Sequence, residues 1–522
     1  MENSSAQCNQ ANNKWAVLSV VILGSFMAIL DNNIVNVALP KIMANFGATV
    51  DQIEWVVTGY MIAFAISMPA TNWLQQRYGL KKVFIASLGI FCFGSALCGM
   101  AWDKDSIIFF RVIQALGGGA LMPVGLALVS EVFPPQERGM AMGIWSIGAM
   151  VAPAIGPFLG GYLVDEVSWR SIFYINLPVG AGAIMAAIFI LSSGVCGPGR
   201  KFDWIGFGSI SLFLAALLIA LAQGQREGWD SDYILSCFGL SLLGLSIFII
   251  SNFFVEHPIY DLHIFSNLTF VMANIINFVR SVGIFGSMFL LPLFLQNLLN
   301  YTAWRTGVIL APTAISVAIF SPFSGIIADR IGPRIPLFSG IVLLIISLYM
   351  YKDLSLNSDY WFLFWPQVIR GAGLGLINAP LMSAAINAVR REQTIIASSL
   401  LTVIMQVGGA FGVALLGAVL QRREFFHYDH YLQQINNVLT PSVYNAQLGI
   451  QELLLKNGIS PAEIAAKGKL LMALWVQKQA AVSAFGDAFV LAALLTSLGV
   501  IPTLLIRKIH APKPFRQPNF TE

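Results

Sequence analysis

The chain has 522 residues, of which 57% are hydrophobic and 11% are charged. A soluble globular protein carries about 25% charged residues, so this chain has too few charges to cover a water-facing surface. The composition therefore excludes a soluble multidomain protein and predicts that lipid surrounds most of the chain. The formal net charge of +4 provides no basic field for a nucleic acid.

Fourteen apolar segments of the chain are long enough to span a membrane, which takes about 20 residues. The first follows a polar stretch and is too long for a signal-peptide core, so we interpret it as an uncleaved span. Segment 421–480 is the one long stretch between spans. The centres of the spans lie near Gly24, Ala63, Gly89, Leu116, Met150, Gly182, Phe213, Leu242, Gly283, Ile315, Leu343, Gly373, Val407 and Leu494.

The distribution of lysine and arginine predicts the orientation of these spans. With the N-terminus in the cytoplasm, most of these residues fall on the inside segments and few on the short outside loops. An even number of spans then places both termini in the cytoplasm.

Two landmarks recur in order and indicate an internal repeat. Arg77-Tyr-Gly79 matches Arg330-Ile-Gly332, at an offset of 332 − 79 = 253, and the Arg111 segment matches the Arg370 segment, at 370 − 111 = 259. Two six-span halves with two inserted spans are predicted, a construction common in secondary transporters. The predicted parts are a cytoplasmic tail (1–14), an N-terminal half (15–194), the inserted helices (195–262), a C-terminal half that includes 421–480 (263–507) and a second cytoplasmic tail (508–522).

Several longer motifs carry a family resemblance. They are Leu30-Asp-Asn-Asn-Ile-Val-Asn-Val-Ala-Leu-Pro40, Arg111-Val-Ile-Gln114, Ala152-Pro-Ala-Ile-Gly-Pro-Phe-Leu-Gly-Gly161, Phe202-Asp-Trp-Ile-Gly206 and Gly224-Gln-Arg-Glu-Gly-Trp229. The chain resembles the major facilitator superfamily, and within it the 14-span drug:proton antiporters of the EmrB/QacA type. This implies an all-α membrane protein with the major facilitator fold, in a bacterial cytoplasmic (inner) membrane. It also implies multidrug efflux and a periplasmic EmrA-like adaptor.

The sequence departs from the family pattern at four positions. The usual Thr of the first motif is Asn33, and a usual Arg in span 13 is Met405. The loop after span 2 has Asn72 and Gln76 where the family has Gly and Asp, whereas the second copy of this loop keeps Gly325 and Asp329.

Four charged residues stand inside spans, where a charge costs at least about 2.5–3.5 kcal/mol and so needs a cavity or a partner. Asp31 is the sole clearly embedded carboxylate, and we predict that it loads and releases a proton. Arg111 is predicted to modulate that step, as the resembled motif implies. The alternative is a structural pair between helices. Arg280 could contact an anionic substrate group or pair locally, and Arg370 is interpreted as structural.

Polar and flexible side chains in the spans are candidates for the substrate cavity. They are Asn33, Asn36, Gln114, Asn274, Asn277, Arg280, Met288, Gln296, Asn378 and Gln406.

A second set of residues is predicted to gate the conformational change, by bending span 5 or by closing the repeated loops. Simple packing and tight turns are the alternatives. The set comprises Gly148, Pro153, Gly156, Pro157, Gly161, Arg77, Gly79, Asp329, Arg330 and Arg334.

Segment 421–480 contains two helix-start signals, Thr440-Pro441 and Ser460-Pro-Ala-Glu463. We predict amphipathic helices outside the membrane that dock the periplasmic adaptor, with a lid as the alternative. His427 and His430 supply only two ligands, so no metal site is predicted.

These patterns favour a proton-coupled exporter of amphipathic small molecules, working by alternating access, over three rivals. The rivals are a dedicated exporter of one metabolite, a membrane enzyme, and a sensor or scaffold with a transporter fold. The sequence has no phosphate-binding loop and no His-Glu-x-x-His motif, so we predict no enzyme activity and no cofactor. One buried carboxylate against two or three arginines favours neutral or weakly acidic substrates, with cations as the alternative.

Overall fold

The computed structural model describes residues 2–192, 201–256, 258–390, 393–437, 449 and 461–506, and regular structure within these residues is entirely helical. Two short 3-10 helices, Leu262–Ser266 and Tyr351–Asp353, accompany the α-helices. The α-helices are α1 Glu2–Phe46, α2 Val50–Tyr78, α3 Leu80–Gly99, α4 Lys104–Val132, α5 Arg138–Glu166, α6 Ser171–Tyr174, α7 Asn176–Ile190, α8 Trp204–Glu227, α9 Asp232–Ser251, α10 Leu268–Asn297, α11 Ala303–Ile331, α12 Arg334–Met350, α13 Tyr360–Asn387, α14 Thr394–Asn437, α15 Pro461–Ser497 and α16 Val500–Leu505.

Each predicted span centre lies inside one of these helices. Within the described ranges, 13 helical segments are long and apolar enough to cross a membrane. The remaining predicted span is α5, whose 29 residues extend about 44 Å at 1.5 Å per residue, more than the roughly 30 Å of a bilayer core. The prediction of an all-α membrane protein is confirmed.

The two halves of the chain repeat one pattern of helix packing. In the first half, α1 packs against α4, α5 and α7, while α4 also contacts α2 and α3, and α3 contacts α7. In the second half, α10 packs against α13, α14 and α15, while α13 also contacts α11 and α12, and α12 contacts α15. These six pairings correspond span for span, which confirms two pseudo-symmetric six-helix halves. The inserted helices α8 and α9 pack on each other, and α8 also contacts α2 and α14.

Matching turn and cap residues begin and end the equivalent helices of the two halves. Gly79 separates α2 from α3 with φ at +82°, and Gly332 separates α11 from α12 with φ at +108°. A residue with a side chain rarely adopts such backbone angles, which explains the glycine in both copies. Asp103 caps α4 by accepting a 2.7 Å hydrogen bond from the Ser106 amide, which lowers the pKa of Asp103. Asp359 caps α13 by accepting a 2.8 Å hydrogen bond from the Phe362 amide.

Three of the helices, α1, α14 and α15, are longer than a single membrane span requires. The polar stretch predicted as a tail, 1–14, lies largely on the same helix as the first span, because α1 begins at Glu2. α14 has 44 residues and α15 has 37, so each exceeds the roughly 20 residues that a span needs. α15 begins at Pro461, in the N1 position that the sequence predicts. The signal at Thr440-Pro441 lies outside the described residues.

Close packing of α3 on α4 depends on Gly94. A Cβ atom at this position would lie 2.5 Å from the backbone of Gln114, whereas a Cβ atom at Gly89 of the same helix would meet no atom within 4 Å. We expect Gly94→Ala to lower the free energy of unfolding by about 1–3 kcal/mol through overpacking. Gly89→Ala is the matched control and should leave stability unchanged. Thermal unfolding of the purified variants in detergent measures both effects, and equal melting temperatures would contradict this packing.

Candidate functional site

Asp31 is the centre of a buried polar network in the first half. Its side chain on α1 is fully buried, and one carboxylate oxygen accepts a hydrogen bond from Nη1 of Arg111 on α4. The other oxygen accepts bonds from Gln114 Nε2 at 2.9 Å and from Asn176 Nδ2 at 2.8 Å. One carboxylate thus joins three helices, α1, α4 and α7.

Arg111 is held from several sides and is also fully buried. Besides Asp31, its Nη1 donates to Gln114 Oε1 at 2.7 Å, and its Nε donates to the Val56 carbonyl at 3.4 Å. The guanidinium lies 3.8 Å from the centroid of the Tyr60 ring, a cation–π contact. Its Nη2 has no hydrogen-bond partner in the described part of the chain. This geometry holds a charge pair away from water.

Local sequence explains how these side chains meet. Arg111 and Gln114 are three residues apart on α4 and therefore share a helix face. Asn176 opens α7 after the short helix α6, so its side chain points back toward Asp31 and also donates to Ser95 Oγ at 3.0 Å. The site residues predicted from the sequence do not include Asn176 or Tyr60. Asn176 is a polar residue in an apolar span, which is the signal that could have identified it.

A second buried cluster lies between α10 and α13 in the other half. Arg280 is 3% exposed; its Nη2 donates to Asn277 Oδ1 at 2.9 Å, and its Nη1 donates to Asn378 Oδ1. Asn277 in turn donates to the Leu401 carbonyl of α14 at 2.7 Å. Three predicted cavity residues are therefore brought together.

Arg370 lies ten residues inside α13 and is 2% exposed. Its Nη2 donates to the carbonyl of Ile284 on α10 at 3.3 Å. The structure thus buries Arg370 almost as completely as Arg111.

The other predicted cavity residues are dispersed. Gln114 belongs to the Asp31 network. Asn33 and Asn274 donate to carbonyls one turn back on their own helices, at 2.7 and 2.9 Å. Asn36 and Gln296 are exposed, whereas Met288 and Gln406 are half-buried. In the described part of the chain, this last group forms no hydrogen bond with the two clusters.

The helix ends at α5 and α11 are locked together by close backbone contact. Asp329 on α11 accepts bonds from the amides of Gly139 and Met140 at the start of α5, at 3.1 and 3.2 Å. A Cβ atom at Gly325 would lie 2.1 Å from the Gly139 carbonyl oxygen. A carboxylate at a helix N-terminus is electrostatically favourable, so Asp329 stabilises the contact between the end of α11 and the start of α5.

The first copy of this loop is arranged differently. Gln76, which replaces the acidic residue, donates to Asn72 at 3.0 Å, and Asn72 donates to the Ile259 carbonyl at 2.6 Å. These two hydrogen bonds connect the end of α2 to the segment after α9. Arg77 lies over the rings of Trp73 and Tyr78, at 5.3 and 5.7 Å.

The remaining gating residues lie on α5, at the end of α11 and at the start of α12. A Cβ atom at Gly148 would lie 2.8 Å from Ile22, and one at Gly156 would lie 3.0 Å from Asn33, so both glycines allow α5 close to α1. A Cβ atom at Gly161 would meet no atom within 4 Å. Arg334 donates to the Ile506 carbonyl at 3.1 Å, and Arg330 is exposed. The side chains of Pro153 and Pro157 lie outside the described set.

An ion-pair cluster joins the C-terminal part of α14 to the middle of α15. Asp487 accepts bonds from Arg423 Nε at 2.5 Å and from His427 Nε2 at 2.7 Å. Tyr431 and Ser483 form a further hydrogen bond of 2.8 Å. The two helices are thus joined by charged and polar side chains.

Comparison with known proteins agrees with this architecture. Residues 21–413 match the model of the Major Facilitator Superfamily. The chain is 33% identical to the multidrug resistance protein B homolog of Mycobacterium tuberculosis, over 81% of this chain and 79% of that protein. It is 30% identical to the multidrug export protein EmrB of Escherichia coli, over 88% of this chain and 87% of EmrB.

A solved structure shows the same fold at low sequence identity. The crystal structure of the human organic anion transporter MFSD10 (TETRAN) matches with a TM-score of 0.59 and 12% identity, covering 92% of this chain and 99% of that one. The paired halves, the repeated loops and the extent of these matches agree. The chain therefore belongs to the major facilitator superfamily, as a multi-pass membrane transporter of small molecules whose relatives include multidrug exporters.

Proposed function

We propose that the protein is a drug:proton antiporter that exports amphipathic small molecules by alternating access, and that Asp31 carries the proton. The observation that supports this most is the buried pair of Asp31 and Arg111. Among the described residues, Asp31 is the one completely buried carboxylate. A residue of this kind inside a span usually belongs to a substrate or proton pathway.

The pair provides a simple mechanism for exchange. While Arg111 donates to the Asp31 carboxylate, the guanidinium and a proton compete for the same oxygen atoms. Moving α4 away from α1 would leave the carboxylate uncompensated, so it would bind a proton and become neutral. Return of Arg111 would expel that proton. Access to opposite sides of the membrane in the two states would couple proton entry to substrate export.

Asp31→Asn removes the titratable group with almost no change of shape. We expect pH-gradient-driven efflux of a fluorescent amphipath from proteoliposomes to fall at least about tenfold, equivalent to 1.4 kcal/mol. Exchange of the same amphipath without a gradient should continue, because it needs no net proton transfer. Asp165→Asn is the control, since Asp165 is exposed and makes only a 3.9 Å contact with Lys41.

Three results would count against this assignment. Gradient-driven efflux by Asp31→Asn equal to that of the native chain would make Asp31 structural. Transport of one compound among many would favour a dedicated metabolite exporter. A native chain that moves no amphipath would favour a sensor or scaffold.

We also propose that the contact between Gly139 and Gly325, with Asp329, is the gate on the cytoplasmic side. Gly325→Ala would force the helix ends apart, because its methyl group overlaps the Gly139 carbonyl. We expect maleimide labelling of Ser146→Cys, which lies beside Ser321 at this interface, to become at least about threefold faster as the open state gains population.

Gly307→Ala on the same helix is the matched control, because a Cβ atom there would meet no atom within 4 Å. Equal labelling rates in the Gly325→Ala and Gly307→Ala backgrounds would show that this contact does not close the pathway.

Localisation and partner follow as further parts of this proposal. We propose a bacterial inner membrane with both termini in the cytoplasm, so that the outer ends of α14 and α15 lie in the periplasm. From Asp487, α15 continues outward for 26 residues to Pro461, about 39 Å. This length supports docking of a periplasmic adaptor.

Leu470, Leu474 and Trp475 give this part of α15 an apolar surface, with Trp475 50% exposed. We expect Trp475→Glu to lower drug resistance in cells by disturbing the adaptor contact, while efflux in proteoliposomes stays unchanged because that assay contains no adaptor. Parallel loss in both assays would indicate a lid or a folding defect instead.

A further inference from the structure

The C-terminal half encloses two guanidinium groups, those of Arg280 and Arg370, at 3% and 2% exposure. In the described part of the chain, neither forms an ion pair with a carboxylate, and the Nε atom of each has no hydrogen-bond partner. Their partners are amide and carbonyl oxygens only. Two positive charges are therefore buried without a negative charge beside them.

The internal repeat shows what is missing. Arg370 corresponds to Arg111, at the offset of 370 − 111 = 259. The two repeat offsets place the counterpart of Asp31 between 31 + 253 = 284 and 31 + 259 = 290, a stretch of α10 without an acidic residue. In the first half, Arg111 donates to the Asp31 carboxylate; in the second half, Arg370 donates to the backbone carbonyl of Ile284. The second half keeps the arginine and lacks the acid.

Two asparagine side chains orient Arg280. Asn277 is fixed by its 2.7 Å bond to the Leu401 carbonyl, so its Oδ1 atom faces Arg280 Nη2 at 2.9 Å. Asn378 holds Nη1 from α13. These amides orient the guanidinium but do not neutralise it, which leaves its Nε side available to an anion.

Arg280 lies on α10, and Arg370 donates its hydrogen bond to the same stretch of that helix. Ile284, which receives the Arg370 bond, is four residues after Arg280, about 6 Å along the helix axis. Half-buried Met288 follows one turn further, and its flexible thioether suits irregular apolar ligands.

We propose that Arg280 and Arg370 form a binding site for the anionic head group of the exported amphipath, with a carboxylate as its chemistry. The anion takes the place that Asp31 occupies in the other half. This rests on the proposed export function and specifies its substrate class. Neutralising a buried, uncompensated charge is the source of the affinity, since such a charge is costly in the membrane interior.

Direct binding tests the site without requiring transport. The probes are a dansyl-labelled undecanoate and its primary amide, which differ only in the head group, titrated by fluorescence into the purified full-length chain. We expect the carboxylate to bind at least about tenfold more tightly than the amide. Arg280→Gln and Arg370→Gln should each reduce that ratio severalfold, whereas Arg280→Lys should retain part of it.

Matched variants separate this proposal from the proton-coupling proposal. Arg305→Gln removes a positive charge that lies on the Tyr301 ring, outside the cluster, and should keep the ratio. Asp31→Asn is assayed separately, by gradient-driven efflux. If Asp31→Asn abolishes gradient-driven efflux but the ratio does not depend on Arg280, proton coupling stands and the anion site is wrong. If the ratio depends on Arg280 while Asp31→Asn transports normally, the reverse holds.

A measurement on the native chain covers the case in which the glutamine variants fail to fold. Saturating carboxylate should raise the unfolding temperature, and the amide at the same concentration should raise it less. Acidifying the sample until the probe's carboxylate is protonated should remove the difference. Equal stabilisation by carboxylate and amide at neutral pH would overturn the anion site.

Discussion

The cost of a bare charge in lipid is the constraint on which the structure depends. Asp31 and Arg111 compensate each other's charge, and Gln114 and Asn176 supply the remaining hydrogen bonds to the carboxylate. Removing one member of a buried pair typically costs 3–5 kcal/mol, because the other is left without compensation. A pair of this kind holds α1, α4 and α7 together only while both partners are charged and adjacent. The interaction that stabilises this conformation is thus also the one that a proton can break.

Much of the fold could be predicted from the sequence because membrane spans are set by local composition and length. The repeat was visible because Gly79 and Gly332 occupy backbone angles that favour glycine. Which polar side chains converge depends on helix rotation and packing, which apolar runs do not encode. The sequence therefore did not predict that Gln114, a candidate for the substrate cavity, bonds to both Asp31 and Arg111. The network partner Asn176 went unnoticed for the same reason.

The two halves share a backbone plan and differ in the polar groups placed on it. Asp329 in the second loop reaches across to the start of α5, while Gln76 in the first loop stays within its own half and bonds to Asn72. Of these two loop contacts, the one made by Asp329 joins the two halves, whereas the one made by Gln76 does not. The same asymmetry holds inside the spans, where Arg111 donates to the Asp31 carboxylate and Arg370 donates to the backbone carbonyl of Ile284. Symmetric packing gives the two halves equivalent helices, and the unequal side chains give them different polar contacts.

A physical connection between the proton site and the proposed anion site runs through α14. Ser398 on α14 donates to the Pro123 carbonyl on α4 at 3.2 Å, and Leu401, three residues later, accepts the bond from Asn277 that orients Arg280. A shift of α4 after protonation of Asp31 would displace α14 and with it the oxygen that holds Asn277. Arg280 would then lose one of its fixed neighbours and hold an anion less well. In this scheme, proton binding in one half weakens substrate binding in the other, which is the sign of coupling that an antiporter requires.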